Sequence, residues 1–145
     1  MTRFRMQVLV GSLAAVCAVG AVVAQVAKTK APDNAKVYII SPKNNDTVSS
    51  PFTVQFGMKG MGVAPAGVNT PNTGHHHLLI DDPNPDMNVP LPTGNDKIRH
   101  FGGGQTEVDL TLPAGKHTLQ LVAGDYLHTP HDKPIMSDKI TITVK

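Results

Sequence analysis

The sequence predicts an all-β chain: an immunoglobulin-like β-sandwich of about seven strands following an N-terminal signal peptide. Three observations point there. Apolar residues recur at every second position in short runs bounded by Gly, Pro, Asn and Asp, the period of a half-buried strand. The 13 Gly and 12 Pro among 145 residues would interrupt a helical period, and none is visible beyond the N-terminal segment. Six or seven such runs in about 110 residues suit two packed sheets, with a small closed barrel as the runner-up.

Arg3 and Arg5 precede an almost uninterrupted apolar run from Val8 to Val23, and Val22-Val23-Ala24 offers a small-residue cleavage signal. This is the layout of a secretory signal peptide, residues 1–24, whose removal leaves Gln25 first. An uncleaved anchor is the alternative reading of the same run. Lipid attachment at Cys17 is disfavoured by the bulky Val16 before it. Residues 25–36 read as a flexible polar tether and 37–145 as one domain. The expected location is periplasmic or secreted, with the membrane met only transiently during export.

Within the domain, Val37-Tyr38-Ile39-Ile40 opens the first strand and 41–46 forms a turn. Phe52, Val54, Phe56 and Met58 alternate along the next strand, so one face can be buried. His75 to Asp81 is a third strand. After a Pro-rich loop, Val108, Leu110 and Leu112 alternate, Pro113-Ala114-Gly115 turns, and His117, Leu119, Leu121 and Ala123 return, a predicted hairpin. Ile140, Ile142 and Val144 close the domain.

Charge and composition exclude several functions. The formal net charge is +2 and falls to about zero without Arg3 and Arg5. Arg99 is then the last arginine and aromatics are few, so no nucleic-acid surface is expected. Cys17 is the sole cysteine, which leaves the exported chain without a thiol. Glu107 is the sole glutamate, and no His-Glu-x-x-His pair, Gly-x-Ser-x-Gly elbow or phosphate loop is present, so no enzyme activity is expected.

Histidine is the residue type left to explain. All seven (His75, His76, His77, His100, His117, His128 and His131) fall in the domain. His75 and His77 stand at i and i+2 on a strand, with Cα atoms about 7 Å apart on one face. His76 points the opposite way, toward the side of Leu78 and Ile80. His128 and His131 are spaced so that two rings in a loop can converge, and His100 precedes Phe101 and three glycines that allow close approach. His117, in phase with Leu119 and Leu121, reads as a hydrogen-bonded residue at the core edge. Imidazoles without thiolates suit copper or zinc, and Met61, in a Gly-rich loop, adds a soft thioether that favours copper. Met58 reads as core. The candidate metal ligands are therefore His75, His77, His100, His128, His131 and Met61, with copper as the expected ion and zinc as the alternative.

The stretches Gly74-His75-His76-His77-Leu78-Leu79-Ile80-Asp81, His100-Phe101-Gly102-Gly103-Gly104-Gln105-Thr106-Glu107 and Leu112-Pro113-Ala114-Gly115-Lys116-His117, with His128-Thr129-Pro130-His131, resemble the bacterial family called domain of unknown function 4399. That resemblance implies an exported small β-sandwich and assigns no activity. Ile40-Ser41-Pro42 and Pro51-Phe52-Thr53-Val54-Gln55-Phe56 are similar, more weakly, to the opening strands of periplasmic copper-carrier sandwiches. Those carriers use an N-terminal histidine, which Gln25 does not supply. Two functions are consistent with these residues. One is binding or buffering of copper or zinc. The other is a non-enzymatic envelope module that recognises a protein or glycan partner through loops 60–74 and 82–99.

Overall fold

The computed structural model describes residues 27–145, so the signal-peptide expectation lies outside the described residues. Among them there is no helix, and nine strands form two sheets. The strands are β1 (Lys36–Ser41), β2 (Thr47–Val48), β3 (Phe52–Lys59), β4 (Gly62–Val63), β5 (Thr73–Ile80), β6 (Ile98–His100), β7 (Glu107–Leu110), β8 (Gly115–Gly124) and β9 (Ile140–Val144). One sheet has the order β1-β3-β7; the other runs β2-β9-β8-β5-β4, with β6 also paired to β5. The triplets β1-β3-β7 and β9-β8-β5 reproduce the opposed A-B-E and G-F-C strands of an immunoglobulin sandwich.

The alternation read from the sequence is what builds the core. Phe52, Val54 and Phe56 of β3 point inward while Thr53 and Gln55 are exposed. They meet Leu78, Leu119, Leu121 and Ile142 of the facing sheet in one cluster. Fully burying each such side chain contributes about 1.5–3 kcal/mol. β5 is different, because every residue from Gly74 to Ile80 is buried. Its inner face joins the sandwich core. Its outer face is covered by the long connection between β5 and β6, where Leu91, with Met87 beside it, packs on Leu79, Ile98 and Val122 as a second small core. A strand enclosed on both sides reads as a continuous buried run, and here that run includes three histidines.

The predicted hairpin does not form. β7 pairs with β3, through Phe52↔Leu110 and Val54↔Val108, whereas β8 pairs with β5 and β9. The segment between them crosses from one sheet to the other, and Leu112 N–H donates to Ser50 Oγ (3.1 Å) on the way. Alternation specifies which face is buried, not which strand lies alongside, and two successive strands facing one core from opposite sheets show the same pattern. The strands of two or three residues, β2, β4 and β6, are too short to show a period and raise the count to nine. Residues 27–35, read from sequence as part of a tether, lie along the segment after β8: Thr29 Oγ1 donates to Asp125 (2.7 Å) and the Ala31 N–H to Asp132 (2.8 Å).

His117 occupies the core-edge position its phase predicts. Its Nδ1 lies 2.9 Å from Asp81 Oδ1 and its Nε2 2.9 Å from the Pro113 carbonyl, so the ring ties the end of β5 to the β7–β8 crossing. His117→Ala is expected to lower unfolding stability by about 1.5–3 kcal/mol, the range for a hydrogen bond to a charged group, and urea titration measures it.

Candidate metal centre

Strand parity makes the first half of the site. His75 and His77 leave the outer face of β5, with ring centroids 4.8 Å apart. β6 supplies the third ring: His100 stands directly opposite His77 in the antiparallel register, and their centroids are 5.1 Å apart. The fourth comes from the loop after β8. There Asp125, almost fully buried, organises the chain, its Oδ1 accepting from the N–H groups of Leu127 (2.9 Å) and Thr129 (3.0 Å). His128 sits within this turn at φ 64°, and its carbonyl accepts from Leu91 N–H (2.9 Å), so the loop that covers the second core also fixes His128. The His128 ring centroid lies 5.0 Å from that of His75 and 4.7 Å from that of His100. One nitrogen from each of His75, His77, His100 and His128 falls within 4.8 Å of every other, a group that can hold a metal ion.

The hydrogen bonding of these rings is incomplete. His75 Nε2 and His128 Nδ1 lie 3.2 Å apart, so one donates to the other according to tautomer. Nδ1 of His75, both nitrogens of His77 and Nε2 of His100 are buried with no protein partner. His117, by contrast, is satisfied. His76 on the inner face also has both nitrogens buried without a partner, so it is the mutual adjacency of the four rings that marks this group. Burial, and then the repulsion of neighbouring imidazoles His128 and His100, lowers the His75 pKa to about 4, although Asp125 pulls the other way. Burial followed by repulsion from His75 lowers His77 further. His100 is also lowered, by burial and then by His128. At neutral pH these three rings are uncharged, the form in which imidazole is a ligand.

Two glycines make room for the cluster. Gly124 lies opposite His75 across the β5–β8 ladder, and a Cβ there would sit 2.8 Å from His77 Cε1 and 3.2 Å from its Nδ1. A Cβ on Gly102 would overlap the His100 ring. The glycines after His100 thus act as their position suggested. Gly124 is not among the residues expected from sequence to shape the site, although a glycine ending an apolar strand is itself a sign of close approach. Overpacking a tight site costs about 1–3 kcal/mol. Gly124→Ala is therefore expected to weaken metal affinity by about tenfold or more and to lower the midpoint of thermal unfolding, read by titration calorimetry and differential scanning calorimetry.

The structure brings together four of the six ligands expected from sequence. His131 and Met61 do not join that group and lie on the other side of β5. On β5, Gly74 faces the side opposite His75, and the atoms nearest its Cβ position include Met61 Cε (3.2 Å) and His131 Cε1 (3.5 Å). The turn at His128 and the bridge of Pro130 to Gly124 fold the chain back alongside the end of β8, and rings three residues apart end on different faces. His76 follows its predicted parity, with its ring 4.8 Å from Phe56 on the inner side. Met58 packs against the main core.

A family model described as Domain of unknown function (DUF4399) matches residues 54–145, a span that contains all four clustered imidazoles. The chain belongs to the DUF4399 family. The DUF4399 match begins inside β3 and leaves β1 and β2 outside it. No curated protein and no solved structure matches the chain.

Proposed function

We propose that this DUF4399 protein binds one transition-metal ion through His75, His77, His100 and His128, copper(II) in preference to zinc(II), and that it acts as an exported metal-binding or buffering protein rather than an enzyme. One observation supports this above the others: four mutually adjacent imidazoles from three parts of the chain present buried nitrogens with almost no protein partners. The large majority of buried polar side-chain atoms in folded proteins have a partner, and an ion coordinated by these nitrogens would supply what is missing.

The dimensions are compatible. Metal–nitrogen bonds of about 2.0–2.1 Å set the nitrogens about 3.3 Å apart in the tetrahedron zinc(II) takes, and about 2.9 Å (cis) and about 4.1 Å (trans) apart in the square plane copper(II) favours. A spread within 4.8 Å needs only a small contraction. Four nitrogen donors without a thiolate suit copper(II) and zinc(II), and the usual order of divalent affinities places copper(II) first. Met61, whose thioether suits the softer cuprous ion, lies on the other face of β5 and adds nothing to this centre. His75 Nδ1 has no second acceptor, so the orientation of this ring rests on packing against its neighbours. Of the two loops that are the alternative candidates for partner recognition, 60–74 and 82–99, the second buries Leu91 and holds His128, a role within this site.

Titration calorimetry tests the proposal with copper(II) and zinc(II) on the protein and on a His75→Ala/His77→Ala variant. The expected result is one equivalent bound with sub-micromolar affinity and lost in the variant. Binding weaker than about 10 µM, or unchanged by the double substitution, overturns it.

A further inference from the structure

The opposite face of β5 carries an unpartnered donor, His131, with a methionine bordering the same glycine. Gly74 has no side chain, and the space a Cβ would take is bounded by Met61 Cε at 3.2 Å, His131 Cε1 at 3.5 Å and the Gly124 carbonyl at 2.8 Å. The Met61 methyl and the His131 ring carbon therefore lie no more than about 6.7 Å apart, both distances being measured to one point. His131 is fully buried, and neither of its ring nitrogens has a hydrogen-bond partner. The Ala123 carbonyl lies toward the ring without making a bond of acceptable geometry. Met61 is half-buried beside the core, where β3 gives way to β4. The strand itself separates this group from the four-imidazole centre, since Gly74 and His75 face opposite sides.

We propose that Met61 and His131 form a second site, selective for a soft monovalent ion, Cu(I). Thioether sulfur with neutral imidazole is a donor pair suited to cuprous ion and poorly suited to zinc, which takes four ligands. An ion held between about 2.0 Å of Cu–N and about 2.3 Å of Cu–S spans about 4.3 Å. Sulfur and ring nitrogen are each one bond from the carbons located above, and methionine has the freedom to close the remaining gap. A single positive charge between two neutral donors is also less costly to enclose than a dication. Burial lowers the His131 pKa, against the pull of Asp125 and Asp132, which leaves the ring neutral and available. The two faces of β5 thus offer different chemistries, four nitrogens for a divalent ion on one and nitrogen with sulfur for a monovalent ion on the other. The second site does not depend on the first.

Silver(I), soft, monovalent and redox-inert, is the probe. With methionine methyl groups labelled by carbon-13, the Met61 resonance is expected to shift on adding one equivalent of silver nitrate, while Met58 and Met136 stay in place and zinc(II) moves none of them. Met61→Leu, which preserves apolar bulk, is expected to weaken silver affinity by about tenfold or more. The same shift is expected in the His75→Ala/His77→Ala variant, in which copper(II) binding is lost, so failure of either site is seen separately. A Met61 methyl that silver leaves unmoved, silver affinity indifferent to Met61→Leu, or a shift that disappears with His75 and His77 overturns the proposal. If the double variant does not fold, the Met61→Leu comparison in the otherwise unchanged chain decides.

Discussion

Replacing His77 with leucine is expected to stabilise the metal-free protein and to abolish its stabilisation by copper(II). His77 is fully buried, and both ring nitrogens lack partners. A buried polar group left unsatisfied costs about 1–3 kcal/mol, and an apolar side chain of similar size removes that cost. Leucine would also extend the apolar surface already formed by Leu79 and Val122 on the same face. A gain of about 1–2 kcal/mol in urea denaturation is therefore expected for the metal-free chain. The loaded protein behaves in the opposite sense. A ligand at one hundred times its dissociation constant stabilises by about 2.7 kcal/mol, and a centre reduced to three imidazoles should lose nearly all of this at the same concentration. A variant that is destabilised without metal, yet still raised in melting temperature by copper(II), would contradict the assignment of His77 as a ligand.

The metal-free protein is further expected to lose stability as pH falls from about 6.5 toward 4, and to change little above that window. His75 titrates near 4 when folded because burial and its imidazole neighbours oppose its charging. The unfolded chain takes up the same proton near 6.5. Between those values the unfolded state binds more protons, so stability rises with pH and is lost on acidification. The slope approaches about 1.4 kcal/mol per pH unit for each imidazole that must charge on unfolding, and the loss levels off once the folded ring also titrates. His77 and His100 shift in the same direction, so the cluster should titrate as a group rather than ring by ring. Scanning calorimetry from pH 8 to pH 4 measures the effect, and His77→Leu should reduce the slope. A melting temperature flat across that window would show that the rings are not desolvated as described.

Both results depend on the double burial of β5, which the sequence shows only in part. The alternation of Phe52, Val54 and Phe56, and of Leu119 and Leu121, follows from the two-residue repeat of an extended chain and was readable without coordinates. The same rule separated His76 from His75 and His77. The placing of β7 beside β3 rather than β8 was not readable, because local alternation is blind to the neighbouring strand. Nor was β6, three residues long, which places His100 against His77.

The sequence by itself determined a two-faced sandwich and the parity that sends His75 and His77 to one side, since both follow from covalent geometry and the need to bury alternate apolar groups. Only the tertiary structure decided that His100 and His128 join them while His131 and Met61 both border Gly74 on the other face. That choice rests on the register of β6 against β5 and on a loop reversal at His128, which Asp125 shapes locally and the distant Leu91 holds in place.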